Sequence, residues 1–291
     1  MIELLENATR EETKQYIAGE IANVRKTIDA EMENIRKIQG AETSSLDRNK
    51  IYFFDKDGKE ISGNDNANTT HKHGYNYLTS IPQGTAKIVT AGSLLFSEPR
   101  LDGQEPDTRL KGKIIIAGGD IKLSGTGYAE LISGGSIDAK EEYLLNNVSA
   151  LGKIEAHRLG DYRSNSTTSR KIIAGTDVTF QETGNVRVNI ISGHDVFQQN
   201  PERHNSIFNV FTANNAHIDY LPENSTISAD IIFTTKATEK HIQPKHGVIT
   251  TLTPEEFAKT AISIPSTEVE NSAFFKSNRP NKETNSATPT I

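Results

Sequence analysis

The chain has 291 residues, 34% of them hydrophobic and 24% charged, with no Cys, no Trp and a formal net charge of −6 at pH 7. That length is ample for a sizeable core in one or two domains. The lack of Cys excludes a disulfide scaffold, a thiolate metal site and a cysteine nucleophile. The acidic balance argues against a general nucleic-acid binder, and no apolar run approaches the ~20 residues of a membrane-spanning helix. MIELLENATREE at the start places acids where a secretion signal needs a basic and then an apolar stretch, so a cytoplasmic location is expected.

Residues 1–40 read as an amphipathic helix. Ile17, Ile21, Val24, Ile28, Met32, Ile35 and Ile38 are separated by steps of 4, 3, 4, 4, 3 and 3, one stripe of a helical surface. Thr9 and Glu12 have capping-box spacing, Glu11 and Glu12 lead, Arg36 and Lys37 trail, and Gly40 supplies a stop. The stripe is as narrow as a coiled-coil seam. Two roles are open: the helix caps one end of the following domain, or it self-associates through Ile17, Ile21, Val24 and Ile28.

Residues 41–85 read as a polar loop segment. It holds one strand-like phrase, Ile51–Phe54, and a short hairpin turning at Asp55–Gly58.

Residues 86–235 contain eight related phrases: KIVTAGSLL, KIIIAGGDI, AELISGGSI, NNVSALGKI, RKIIAGTDV, VNIISGHDV, NVFTANNAHI and STISADIIF. They align on a small residue at Ala91, Ala117, Ser133, Ala150, Ala174, Ser192, Ala213 and Ala229. Two residues earlier the position is always apolar. One residue later it is Gly, Asn or Asp except at Leu151, which suggests a corner in left-handed backbone, displaced to Gly152 in that one coil. Four residues later it is apolar except at His217, beside Ile218, as though one residue were inserted. The anchors are 26, 16, 17, 24, 18, 21 and 16 residues apart. A base period near 17 with insertions is too short for helical repeats and fits one turn of a β-solenoid. The expected fold is therefore all-β: a right-handed parallel β-solenoid of about eight coils, preceded by a helix and followed by an irregular tail. Residues 236–291 read as a short helix from Thr253-Pro254-Glu255-Glu256 and a disordered tail.

IIIAGGDIKLSG, LISGGSIDA and KIIAGTDVTF resemble the β-helical coils of flagellar-assembly-protein-A type proteins and of bactofilins, the bacterial polymer-forming proteins. A weaker similarity reaches the haemagglutinin repeats of filamentous adhesins. The resemblance covers about 89–233 and implies a structural or assembly role. This chain departs from the bactofilin pattern in its long first helix and its large insertions.

Candidate chemistry is sparse, and no nucleotide loop, nucleophile elbow or zinc-protease motif occurs. His71 and His73 share a side of an extended segment and are the candidate metal ligands, but two nitrogens fall short of the four ligands of a structural zinc site. Asp120, Asp177 and Asp195 share one corner position with Ser136 and Lys153. Carboxylates stacked on successive coils can hold Ca²⁺ or serve as the acids of a β-helical polysaccharide enzyme. The calcium-solenoid pattern is absent, however, and Asp at a corner commonly bonds local amides, which is the preferred reading. Lys153 is expected to pair with Asp177 across coils. Insertions near 98–111, 157–170 and 199–207 are the binding-loop candidates. If they leave one corner, Arg100, Arg109, Arg158, Asp161, Tyr162, Arg163 and Arg203 line a rim suited to carboxylate, phosphate or sugar. We therefore expect a non-enzymatic scaffold without a cofactor, forming homo-oligomers or holding a protein partner. A carbohydrate-binding or carbohydrate-cleaving β-helix with a glycan partner is the alternative.

Overall fold

The computed structural model describes residues 8–40, 45–61, 69–72, 74–78, 81–97, 110–124, 129–144, 146–160, 169–183, 187–198, 207–219, 225–235 and 243–260. Helix α1 (Arg10–Ile38) starts at the Thr9–Glu12 capping box, with the Thr9 amide donating to Glu12 Oε2 at 2.6 Å. Strand β1 (Ile51–Phe54) follows, then a hairpin of β2 (Thr69–Lys72) and β3 (Tyr75–Leu78). Segment 41–85 thus contributes three strands, where the polar composition suggests mostly loop.

From there the chain winds into a solenoid, each coil giving two short strands around a corner. The pairs are β4 (Lys87–Thr90) with β5 (Ser93–Ser97), β6 (Ile114–Ala117) with β7 (Ile121–Ser124), and β8 (Glu130–Ser133) with β9 (Ile137–Leu144). Next come β10 (Val148–Ala150) with β11 (Ile154–Leu159), β12 (Arg170–Ala174) with β13 (Val178–Thr183), and β14 (Arg187–Ser192) with β15 (Val196–Gln198). Last are β16 (Ile207–Thr212) with β17 (Ala216–His217), and the continuous β18 (Thr226–Thr234). First strands stack parallel on first strands and second strands on second. A ninth layer, β19 (Gln243–Thr251), pairs parallel with β18 beyond the point where the apolar pattern of the sequence fades.

The register gives the core directly. Ile115, Leu131, Val148, Ile172, Ile190, Val210 and Ile227 stack in one fully buried column, and Ile121, Ile137, Ile154, Val178, Val196, Ala216 and Ile232 in the other. Burying one such side chain contributes about 1.5–3 kcal/mol. Two phrases sit one residue away from their sequence alignment. Thr90, not Ala91, pairs with Ala117, and Thr212, not Ala213, pairs with Ser192. A one-residue slip exchanges the faces of a strand, so Ile88 and Val210 point inward while Val89 and Phe211 point outward. No residue is inserted at His217, because Ala216 takes the inward position.

The corner glycines are also there for a different reason than expected. None has a positive φ; among the described residues the glycines that do are Gly40, Gly58, Gly74, Gly84, Gly112, Gly160 and Gly247. What the corner lacks is space. A Cβ on Gly134 would stand 2.3 Å from the Gly118 carbonyl oxygen, and one on Gly175 would stand 2.1 Å from that of Leu151. Leu151 keeps the common register, so that corner is not displaced: its amide donates to Ser133 O as the Gly175 amide donates to Ala150 O.

Helix α1 neither caps an end nor offers a free seam. It lies along the outward face of the first-strand column. Ile17, Ile21, Val24 and Ile28 are buried with Ile173, Ile191 and Phe211, and Ile35 with Tyr52, Phe54, Val89 and Ile116. Its 29 residues at ~1.5 Å rise give roughly 43 Å. The ten strands from β1 to β19 in that column, at ~4.8 Å spacing, give the same length. The two ends agree: the Ala8 carbonyl meets His246 Nε2 at 2.7 Å on β19, and Gln39 Nε2 donates to the Tyr52 hydroxyl at 2.5 Å on β1. Ion pairs Lys171–Glu20 and Lys87–Glu31, each 2.6 Å, pin the flanks. Burial works to raise the Asp230 carboxyl, but bonds from Lys14 and Arg10 outweigh it and hold the group below the usual carboxylate range.

Two expectations follow for urea unfolding followed by circular dichroism. Gly175→Ala should cost roughly 2–3 kcal/mol because coils must separate, whereas Gly112→Ala, which meets open space at φ +72, should cost only about 1–2 kcal/mol. Ile21→Ala and Ile28→Ala should each cost roughly 2–4 kcal/mol, with no change in oligomeric state.

Candidate functional site

The corner carries a polar ladder. Ser93, Asp120, Ser136, Lys153, Asp177, Asp195 and Asn215 occupy one position in successive coils. The Asp120 amide donates to Ser93 Oγ (3.0 Å), the Ser136 amide to Asp120 Oδ1 (2.7 Å) and the Lys153 amide to Ser136 Oγ (3.2 Å). Lys153 has no acceptor to offer the next coil. The ladder resumes with the Asp195 amide on Asp177 Oδ1 (3.0 Å) and the Asn215 amide on Asp195 Oδ1 (2.7 Å). The carboxylates therefore bond amides, as their residue type suggests, but amides of the next coil. Lys153 Nζ lies 2.8 Å from Glu155 and does not form the expected cross-coil pair with Asp177. The small anchor residue supports the same corner from inside, with Ser192 Oγ donating to Thr176 O at 2.6 Å or to Asp195 O at 2.9 Å.

At one level this ladder gathers three groups able to ligate metal. His194 Nδ1 lies 2.7 Å from Asp177 Oδ1 and 3.3 Å from Asp195 Oδ2, and one ligand atom from each residue lies within 4.8 Å of the others. Burial pushes the Asp195 carboxyl up, only partly offset by the Asn215 amide and the His194 charge, while Asp177 adds repulsion. Sequence reasoning singled out both aspartates and missed His194. The available signal was the His-Asp pair directly after Gly193, one coil above an Asp at the same corner position.

On the outward face of the second-strand column, His217 stacks between Phe197 and Phe233, with ring centroids 4.5 and 4.6 Å apart. Its Nδ1 lies 3.1 Å from Thr260 Oγ1 of α2 (Pro254–Thr260), a short helix that starts at the expected Thr253 cap and buries Phe257.

The proposed binding rim is not assembled from described residues. Arg158 is in β11, only 9% exposed, and pairs in register with Glu182 and Tyr143. Arg100, Arg109, Asp161, Tyr162, Arg163 and Arg203 lie outside the described residues, as does His73, whereas His71 is in β2 in register with Asn76. Beneath α1, small Ser149 interrupts a column otherwise filled by Ile132 and Ile173 and leaves a groove of about 220 Å³. That is below the usual range for ligand pockets.

The site and fold define a parallel β-solenoid strapped along one face by a helix. Among the described residues no helix is long and apolar enough to cross a membrane. The chain matches no family model, no curated protein and no solved structure.

Burial pushes the His217 imidazole from 6.5 down to about 4, against a smaller opposing pull from Asp177. Above pH 6.5 it is neutral in both folded and unfolded chains. Below that the unfolded chain takes the proton first, so stability should fall by roughly 3 kcal/mol until pH 4, where the folded imidazole also titrates. His217→Phe should remove that part of the loss, read as a shallower decline in urea midpoint between pH 7 and pH 4.

Proposed function

We propose that the protein is a non-enzymatic structural or assembly protein, a stiff β-helical rod that self-associates through its C-terminal coil end. With the seam of α1 occupied within the chain, the rod ends are what remain of the two self-association routes. The observation that carries the reading is the difference between those ends. At the start, β1 runs antiparallel to β4, and its other side is covered by residues 59–61, with the Ile61 amide donating to Phe53 O. The hairpin strand β2 runs antiparallel to β3 and, among the described residues, pairs on that side only. At the far end, β19 is nine residues long and, among the described residues, pairs on one side only. Ile249 stacks on Ile232 at the end of an inward column, yet is 39% exposed because, among the described residues, no coil covers it, and Val248 beside it is 68% exposed.

A long edge with uncovered apolar residues is a template for another strand. Of the two edges, β19 is the longer, nine residues against four in β2, and it favours a two-fold pair joined β19 to β19. The resemblance of the coils to bactofilins supports an assembly role, and the antiparallel β1 and β2, which break the parallel stacking at the first end, argue for a dimer in place of a polymer.

Sedimentation across a wide concentration range should show a reversible monomer–dimer equilibrium. Val248→Lys with Ile249→Lys should raise its dissociation constant at least about tenfold while leaving the circular dichroism spectrum unchanged. A strict monomer at every concentration would sink the proposal, and open-ended filaments would sink the two-fold form of it.

A further inference from the structure

The cluster at the solenoid corner carries an inference that stands apart from the end-to-end reading. We infer that Asp177, His194 and Asp195 bind one divalent ion of the zinc type, which clamps the coil of β12 and β13 to the coil of β14 and β15.

The backbone places the three ligands. Asp177 and Asp195 hold the same corner position in adjacent coils, and parallel in-register stacking sets that separation. His194 precedes Asp195, and the pair is held by the His194 amide on Thr176 O (3.2 Å) and the Asp195 amide on Asp177 Oδ1 (3.0 Å). Thr212 Oγ1 donates to the His194 carbonyl from the coil above, and the Ser192 hydroxyl bonds within the same corner. A site supported this way loses little freedom when it binds.

The donor atoms are already close to a metal-binding arrangement. An ion about 2.0–2.2 Å from each of three N and O ligands holds them roughly 3.0–3.5 Å apart. Here the imidazole nitrogen is 2.7 and 3.3 Å from the two carboxylate oxygens, and the three ligand atoms lie within 4.8 Å of one another. Small side-chain rotations suffice. Asp195 Oδ1 is committed to the Asn215 amide, which leaves its Oδ2, on the His194 side, as the ligand atom.

Charge favours a dication over the bare cluster. Two carboxylates share the site, and the Asp195 side chain is only 2% exposed. Among the described residues no Lys or Arg forms an ion pair with either aspartate. The nearest cation of the ladder, Lys153, is engaged by Glu155, and Arg10 and Lys14 are engaged by Asp230. A protonated His194 would offset one of the two charges, whereas a dication offsets both. One imidazole among three ligands suits zinc, or cobalt as its substitute, better than calcium, which takes six to eight oxygens. The Asp177 and His194 side chains are 21% and 31% exposed, so water reaches the site to complete a coordination of three protein ligands.

The test uses the full chain stripped with chelator and titrated with zinc by calorimetry at pH 7. One equivalent should bind, and saturating zinc should raise the thermal midpoint by roughly 3–6 °C. Cobalt added to the same unmodified chain should produce visible absorption bands, a readout that no variant's folding can confuse. His194→Gln and Asp177→Asn, both at partly exposed positions, should each weaken zinc at least tenfold. No zinc heat and no cobalt bands would mean that His194 merely bridges the two aspartates, and would overturn the inference. So would zinc binding that survives both substitutions, or binding of calcium in preference to zinc.

Discussion

Every feature of this molecule depends on successive coils lying in register at one strand spacing. Side chains of one coil then cover those of the coil before, and two apolar columns run through the centre with almost no exposure. The same constraint governs the corner. At Gly118, Gly134, Gly175 and Gly193 the carbonyl oxygen of the coil before lies where a Cβ would stand, so these glycines are selected by crowding. It also organises polar groups, since a carboxylate or hydroxyl at one corner is always within reach of the amide one coil later. Asn189 and Asn209 show the principle on the wall, paired in register with their side chains 2.9 Å apart.

Helix α1 is a consequence of that stacking. The outward side of the first-strand column presents Val89, Ile116, Ile132, Ile173, Ile191 and Phe211, an apolar strip that no second sheet covers. A helix as long as the column is high satisfies it in one element. The narrow stripe on α1, which has the width of a coiled-coil seam, is narrow because it meets a single row of side chains. Glycines at the corner help here as well: Met32 Sδ and Ile21 Cδ1 lie just where a Cβ of Gly118 and of Gly193 would come within 3.1 and 3.0 Å.

A rigid repeat also preorganises chemistry. Asp177, His194 and Asp195 are close because the corner recurs, and no long-range loop has to fold back to bring them together. His217 is part of the same logic, an imidazole seated in a stack of phenyl rings and kept neutral by burial.

The amino-acid sequence by itself determined the helix, its cap and stripe, the recurring strand–corner–strand phrase, and so the solenoid. Each of these rests on periodicity and on neighbours a few residues apart. The polar ladder was half legible, since the shared position of Asp120, Asp177 and Asp195 could be counted, but their acceptance of next-coil amides could not. Only the tertiary structure decided the register at Thr90 and Thr212, because an alternating pattern read one residue early looks equally apolar. It alone seated α1 along the flank, added β19 and the β2–β3 hairpin, and placed Arg158 in the wall. The reason is physical: which face of a strand is inside, and what a narrow apolar stripe covers, depend on residues far away in the chain that only the packed molecule brings together.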